Sequence, residues 1–256
     1  MPDQPPYLRI ADALRQRIAD QEWTPGDRLP SRADLAAAYG VGDNVIRRAQ
    51  ELLISVGTLE GRAGSGTYVA APREKLRIVR SLYREQTGGS PFQSDMAALG
   101  RRGSWESRTD AKVPAPADIA ARLGLAEGDL CVRTAYEFLA DGKPAQLSMS
   151  WEPYALTAGT LIVLPEGGPY AGLGVVRRMA EIGVTVTRAV EQPSPRVVTA
   201  EEAALLGVQK GTLATHIQRT YYAEDGRPVE TADIVVPANL CEVVYEVPVT
   251  PSLTSN

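Results

Sequence analysis

Reactive side chains are scarce in this chain. Its 256 residues include one histidine, two cysteines and two phenylalanines, and only four of the 27 basic residues are lysine. A single His216 leaves no histidine cluster for a metal and no histidine pair for acid–base work. No Ser–His–acid spacing, Gly-rich nucleotide loop or metal-ligand cluster can be traced. Catalysis is therefore not expected, nor is a cofactor or a bound metal, and His216 reads as a structural residue on a strand. Cys131 and Cys241 stand 110 positions apart without metal-like spacing, and read as reduced core thiols. No run approaches the ~20 apolar residues of a membrane span. Met1-Pro2-Asp3-Gln4-Pro5-Pro6 lacks the charged-then-apolar pattern of an export signal. A cytoplasmic chain without a membrane partner is the expectation.

What the chain does have is length for two domains and 44% apolar residues to fill their cores. Its net charge of −4 excludes indiscriminate binding to nucleic acid. The charge is unevenly spread, with 13 basic and 11 acidic residues in 1–85, against 14 and 20 in the remainder. Local arginines would have to carry any phosphate contact.

Tyr7, Ile10, Leu14 and Ile18 recur at three- and four-residue steps, which predicts an amphipathic helix over 6–20. Trp23-Thr24-Pro25-Gly26-Asp27 breaks it. Ser31 and Asp34 form a carboxylate capping box at the start of a second helix, with Leu35, Ala38 and Tyr39 on its inner face. Gly40-Val41-Gly42 is a tight turn. A third helix follows over about 43–56, with Asp43 as its N-cap and Val45, Ile46, Ala49, Leu52, Leu53 and Val56 as its buried stripe. Asn44, Arg47 and Arg48 are left outward near its N-terminal end. Taken alone, Arg47-Arg48 reads as a solvated face. Leu59–Arg62 and Thr67–Val69 read as short strands around an Ala63-Gly64-Ser65-Gly66 tip. With a glycine hairpin and Arg62 directly behind the third helix, the set reads as a recognition helix and a wing. Arginine can read guanine and asparagine can read adenine, or either can hold phosphate.

Residues 5–71 resemble the DNA-binding domain of GntR-family bacterial regulators. The resemblance rests on Tyr7-x-x-Ile10-Ala11, Pro25-Gly26-Asp27-Arg28-Leu29-Pro30-Ser31, Val45-Ile46-Arg47-Arg48-Ala49 and Gly64-Ser65-Gly66-Thr67-Tyr68-Val69. Where the family usually has Glu-Arg after Pro-Ser, this chain has Arg32-Ala33. Where it usually has Ser-Arg-x-Thr, this chain has Gly42-Asp43-Asn44-Val45. The resemblance implies operator DNA as the partner, contacted by Arg32, Asp43, Asn44, Arg47, Arg48, Arg62, Gly64, Ser65 and Gly66. The departures imply an operator different from the family's common one.

Residues 72–90 read as a basic linker, carrying Arg73, Lys75, Arg77, Arg80 and Arg84; its Leu76, Val79, Leu82 and Tyr83 suit a helix or a strand. Beyond it the sequence repeats weakly. Ala117–Gly128 matches Ala200–Gly211, and Asp141-Gly142-Lys143-Pro144 matches Asp225-Gly226-Arg227-Pro228. Each copy reads as a helix, a glycine stop, a strand, an Asp-Gly turn and another strand. Two similar halves of one antiparallel sheet are expected, with a concave ligand site between them.

This second part resembles the UTRA effector-binding domain of the HutC subgroup, through Pro91-Phe92-x-x-Asp95-Met96-x-x-Leu99-Gly100, the two helix–Gly–strand units and Asp225-Gly226-Arg227-Pro228-Val229-Glu230. The resemblance implies an α+β chain: a winged helix-turn-helix over 1–71, a linker over 72–90, and an antiparallel-sheet, chorismate-lyase-like domain over 91–250 that binds an effector and dimerises. It implies a homodimeric repressor on a palindromic operator. The implied effector residues are Phe92, Gln93, Ser94, Arg133, Tyr136, Phe138, Ser148, Ser150 and Glu230. Sugar-phosphate sensors of the family carry arginines where Tyr136 and Phe138 align, so a less anionic effector is expected. A plasmid-transfer-type repressor whose second domain only dimerises, and a chorismate-lyase-like enzyme, are the alternatives.

Overall fold

The computed structural model describes residues 4–62, 64–71, 75–81 and 90–247. Of the residues named above, Met1, Pro2, Asp3, Ala63, Arg73, Leu82, Tyr83 and Arg84 lie outside these ranges. The chain divides into two compact units. One comprises Met1–Lys75, Pro195–Ala214 and Pro237–Leu240; the other comprises Leu76–Ser194, Thr215–Val236 and Cys241–Asn256. No described helix is long and apolar enough to cross a membrane.

The first unit opens with α1 (Pro6–Ala19), α2 (Arg32–Tyr39) and α3 (Asp43–Ser55), followed by β1 (Leu59–Arg62) and β2 (Gly66–Val69). Proline at the first helical position starts α1, where a missing N–H costs nothing. Ile10, Ala11 and Leu14 of α1 pack with Leu35 of α2 and with Ile46, Ala49 and Leu53 of α3. The Ser31–Asp34 capping box forms in full. Ser31→Ala is expected to cost about 1 kcal/mol of stability in denaturant unfolding, since it leaves an orphan amide at the helix start. Gly40 closes α2 in the left-handed region at φ 63°. β1 and β2 pair antiparallel from Leu59↔Val69 to Arg62↔Gly66, and Leu29 N–H donates to Thr67 O on the hairpin's other edge.

Three sequence expectations are corrected here. Asp43 is the first helical residue of α3, while Gly42 occupies the cap and supplies no side chain. Val56 follows the helix and is exposed, whereas Gln50 is buried on the stripe. Ala38 is exposed and Ala36 takes its place on the inner face of α2, one step round the 3.6-residue turn.

The second unit is built on a six-stranded sheet in the order β4-β5-β6-β9-β8-β7. Its strands are β4 (Gly103–Pro114), β5 (Leu130–Ala140), β6 (Lys143–Pro153), β7 (Val186–Val197), β8 (Leu213–Ala223) and β9 (Pro228–Pro237). The order is the repeat made visible. β4, α5 (Ala117–Leu123), β5 and β6 form one copy of the repeat; β7, α8 (Ala200–Leu206), β8 and β9 form the other, whose α8 falls in the first unit. The halves meet at an antiparallel seam, from Leu147↔Val235 to Trp151↔Thr231. Gly124 and Gly207 end the two matching helices with φ of 64° and 62°, values that glycine alone adopts without strain. Asp141 and Gly142 both have positive φ, as a tight hairpin between β5 and β6 requires.

Three more helices belong to this unit: α4 (Pro91–Ala98), α6 (Tyr154–Thr157) and α7 (Val175–Ala180). β3 (Leu76–Ser81) and β10 (Cys241–Glu246) pair parallel as a separate two-stranded sheet. Part of the expected linker is therefore strand. Arg80, read in the sequence as linker charge, is buried beside Glu191 of β7. Cys131 and Cys241 are buried and form no disulfide, and burial pushes the Cys131 thiol up to about 11. His216 Nε2 lies 3.0 Å from Asp233 Oδ1, and Asp233 also accepts from Arg122 at 2.6 Å.

Candidate DNA-binding face and ligand cleft

The turn after α2 brings the N-terminal end of α3 to the surface with Asn44, Arg47 and Arg48 all exposed. Their partners leave them able to exchange. Arg47 Nη1 donates to Glu51 at 2.7 Å one turn along the helix, and Arg48 lies 4.3 Å over the Tyr7 ring. Such exposed pairs contribute little to stability, so giving them up for phosphate or a base edge costs little. Arg32 Nε sits 3.8 Å from Asp43 Oδ1. The two departures from the family pattern thus meet as one local pair. On the hairpin, Arg62 lies 4.1 Å over Tyr68, while Ser65 Oγ and Tyr68 Oη are 2.6 Å apart. Gly64 and Gly66 have φ of 70° and 117°, and a Cβ on Gly66 would meet Arg28 Nε at 2.9 Å. The tip is thus a short, side-chain-poor turn with a guanidinium at its base.

The second unit holds a cleft of about 100 Å³ on its sheet. Strand alternation decides who reaches it. Tyr136 faces Ser148 across β5 and β6, and Phe138 faces Gln146, so these side chains share the cleft face. Ser150, Glu230 and Phe92 also line it. Three expected residues do not. Arg133 points to the other face, where it pairs with Asp110 at 2.9 Å and lies 5.6 Å from the Trp151 ring centre. Gln93 reaches back to Gly103 O at 3.4 Å, and Ser94 lies outside the lining, because α4 turns only its Phe92 side inward.

Missing from the sequence reading are the charges. Arg80, Arg178, Arg219 and Glu166 line the cleft. Glu152 and Arg178 form a buried ion pair, and Arg178 Nη1 also donates to Ile162 O at 3.1 Å. Burial raises the Glu152 carboxyl above its ordinary range, with Arg178 opposing. Burial works against the Arg178 charge, but Glu152 outweighs it and the guanidinium stays protonated. Burial would likewise raise Glu191, yet the Arg80 guanidinium holds it below the usual carboxylate range. Tyr136 donates to Glu166 at 3.0 Å, and burial followed by that carboxylate pushes its phenol well above normal. Ser150 Oγ and Arg219 Nη2 both donate to Glu230 Oε1, at 2.7 and 3.1 Å.

The gntR family model of bacterial regulatory proteins matches residues 6–69, and the UTRA domain model matches residues 98–241. An uncharacterized HTH-type transcriptional regulator of Streptomyces coelicolor is 31% identical over 239 residues, covering 90% of this chain and 88% of its own length. The HTH-type transcriptional repressor NagR of Bacillus subtilis is 26% identical over 232 residues, covering 90% of each chain. A crystal structure of a GntR-family transcriptional regulator is 44% identical, with a TM-score of 0.75, and covers 96% of this chain and 99% of that one. With a winged helix in its N-terminal part, a sheet domain of the effector-binding type in its C-terminal part, and relatives along nine-tenths of its length, the chain belongs to the GntR family of bacterial transcriptional regulators.

Proposed function

We propose that the protein is a cytoplasmic, ligand-responsive repressor that binds a palindromic operator as a homodimer and is released by a small effector in the sheet cleft. The observation that carries this reading is the exposed end of α3, where Asn44, Arg47 and Arg48 stand ahead of a glycine-tipped hairpin bearing Arg62. Asn44, Arg47 and Arg48 read base edges in the major groove, while Arg32, Arg62 and the Gly64-Ser65-Gly66 amides hold phosphates or enter the minor groove. The Arg32–Asp43 pair gives this chain a different code at the first positions of the helix. Effector release follows if occupation of the cleft favours a dimer geometry whose two recognition helices no longer match the half-sites.

Selection of duplexes from a random pool by the full chain tests the operator part. The expected product is an inverted repeat whose half-sites lie about 10–10.5 bp apart or a multiple of that. A single asymmetric site would contradict the dimeric reading. The cleft assignment has its own test. Tyr136→Ala is expected to shift the effector concentration for half-release by about tenfold or more, since it removes both a ring and a donor to Glu166. Its operator affinity without effector should stay within about twofold of the parent, because the substitution leaves every side chain of the DNA-binding face unchanged. Lost operator affinity with an unchanged effector response would reverse the assignment.

A further inference from the structure

We propose that Arg28 is a further DNA-binding residue: with Arg62 it clamps a backbone phosphate on the outer face of the hairpin. The proposal rests on the reading of the hairpin as a DNA-binding wing and adds a contact residue and its ligand group. The segment before α2 joins the hairpin as a third strand. Val69 N–H donates to Asp27 O, Leu29 N–H donates to Thr67 O, and Arg28 pairs with Tyr68. β2 is therefore the middle strand, with Arg28 on one side and β1 on the other. Strand alternation sorts the side chains. Leu59 and Val69 face the core, and a Cβ on Gly61 would meet Ile54 Cδ1 of α3 at 3.5 Å. Arg28, Glu60, Arg62, Gly66 and Tyr68 share the opposite, outer face.

Gly66 decides where the Arg28 charge goes. A Cβ there would meet Arg28 Nε at 2.9 Å, Nη2 at 3.3 Å and Cζ at 3.5 Å. The guanidinium thus lies against the glycine, and only glycine leaves room for it. Across β2, Arg62 is paired with the same Gly66 and its guanidinium lies 4.1 Å over the Tyr68 ring. Two guanidinium groups so flank the Gly66–Tyr68 rib, against one carboxylate, Glu60, among the described residues of this face. Arg32, Arg47 and Arg62 each have a carboxylate nearby, at 3.8, 2.7 and 3.4 Å. Arg28 is exposed, and its guanidinium has no ion pair or hydrogen bond among the described residues. It gives up nothing to bind an anion. A planar fork of N–H groups suits the oxygens of a phosphate, which it can hold bidentately. Position favours phosphate over a base. Arg28 is rooted level with Tyr68 and reaches only to Gly66. It therefore stays beside the tip, where a wing in the minor groove meets the phosphate wall rather than the base edges.

Anisotropy titrations of full-length R28A, R28K, R62A and R227A test this, each against the duplex recovered by selection and a scrambled duplex, over a series of salt concentrations. R28A is expected to weaken binding to both duplexes by the same factor, about five- to tenfold for each protomer bound, and to make the slope of log K against log salt shallower by about 0.9 for each. R28K keeps the charge and should keep the slope, with part of the affinity lost along with the fork. R227A makes the same change of charge on an exposed Asp-Gly turn of the sheet unit and should leave both quantities unchanged. Several results overturn the proposal: R28A binding as the parent does, a loss confined to the selected duplex with its slope intact, a slope lost in R28K as well, or an equal loss in R227A. R62A separates this proposal from the reading beneath it. A loss in R62A with none in R28A keeps the wing and removes Arg28. No loss in either removes the wing itself.

Discussion

Replacing Arg47 and Arg48 together with alanine is expected to weaken operator binding by about 2–6 kcal/mol, at ~1–3 kcal/mol for each arginine that reads a base. That is a loss of about thirtyfold to more than ten-thousandfold in fluorescence anisotropy. The helix itself should survive. Both side chains are exposed; Glu51 is exposed too, and the Tyr7 ring keeps its own packing against the core when Arg48 is removed. Alanine is also a better helix former than arginine. The salt dependence gives a second reading of the same variant. Each arginine that neutralises a phosphate contributes about −0.9 to the slope of log K against log salt. A slope unchanged beside a large loss of affinity assigns the pair to bases; a slope shallower by nearly two assigns it to phosphates. Undiminished operator binding would remove α3 as the recognition helix.

The second large effect is on stability. Arg178→Ala is expected to destabilise the protein by about 3–5 kcal/mol, because it strands Glu152 as an uncompensated buried charge. Glu230 makes the loss worse. Glu152 directly follows Trp151 and Glu230 directly precedes Thr231, so the two carboxylates succeed the Trp151↔Thr231 pair on adjacent strands and repel. Removing both members of the pair, with Arg178→Met and Glu152→Leu, should recover much of the loss, since apolar replacement of a buried ion pair is often neutral or stabilising. Urea unfolding at neutral pH measures both. A loss below about 1 kcal/mol for Arg178→Ala would place the pair in water rather than in the interior.

Elements set by local chemistry were legible in the sequence. The capping box at Ser31 and Asp34, the left-handed glycines after α2, α5 and α8, and the Asp-Gly turn between β5 and β6 each follow from one residue's conformational freedom or one side chain's reach. The repeat announced the two-halved sheet for the same reason. Each copy carries its own helix stop and turn, so the order β4-β5-β6-β9-β8-β7 follows from pairing two similar units edge to edge. The cleft was legible only in part. Tyr136, Phe138, Ser148, Ser150 and Glu230 share a face because strand alternation puts them there, and alternation also removes Arg133.

Its charges, Glu230 apart, were not legible, since they come from elements remote in sequence. Arg80 meets Glu191 across 111 positions and Arg178 meets Glu152 across 26. Nothing in the residues around Arg80 separates it from linker charge, because its burial depends on β3 pairing with β10. Missing arginines on the β5–β6 hairpin therefore did not mean a cleft without arginine. They meant a cleft whose arginines arrive from other strands and helices already bound to carboxylates. One signal was available. The alternation that places Tyr221 on the cleft face of β8 also places Arg219 there, opposite the strand that carries Glu230.

The central claim is sequence-specific DNA recognition by the α3 end and the hairpin. The most direct measurement is a fluorescence anisotropy titration of the full chain against the duplex recovered by selection, beside a scrambled duplex of the same composition, at physiological salt. The account predicts a preference of about 10³ or more for the selected duplex. Equal affinity for the two duplexes would contradict it.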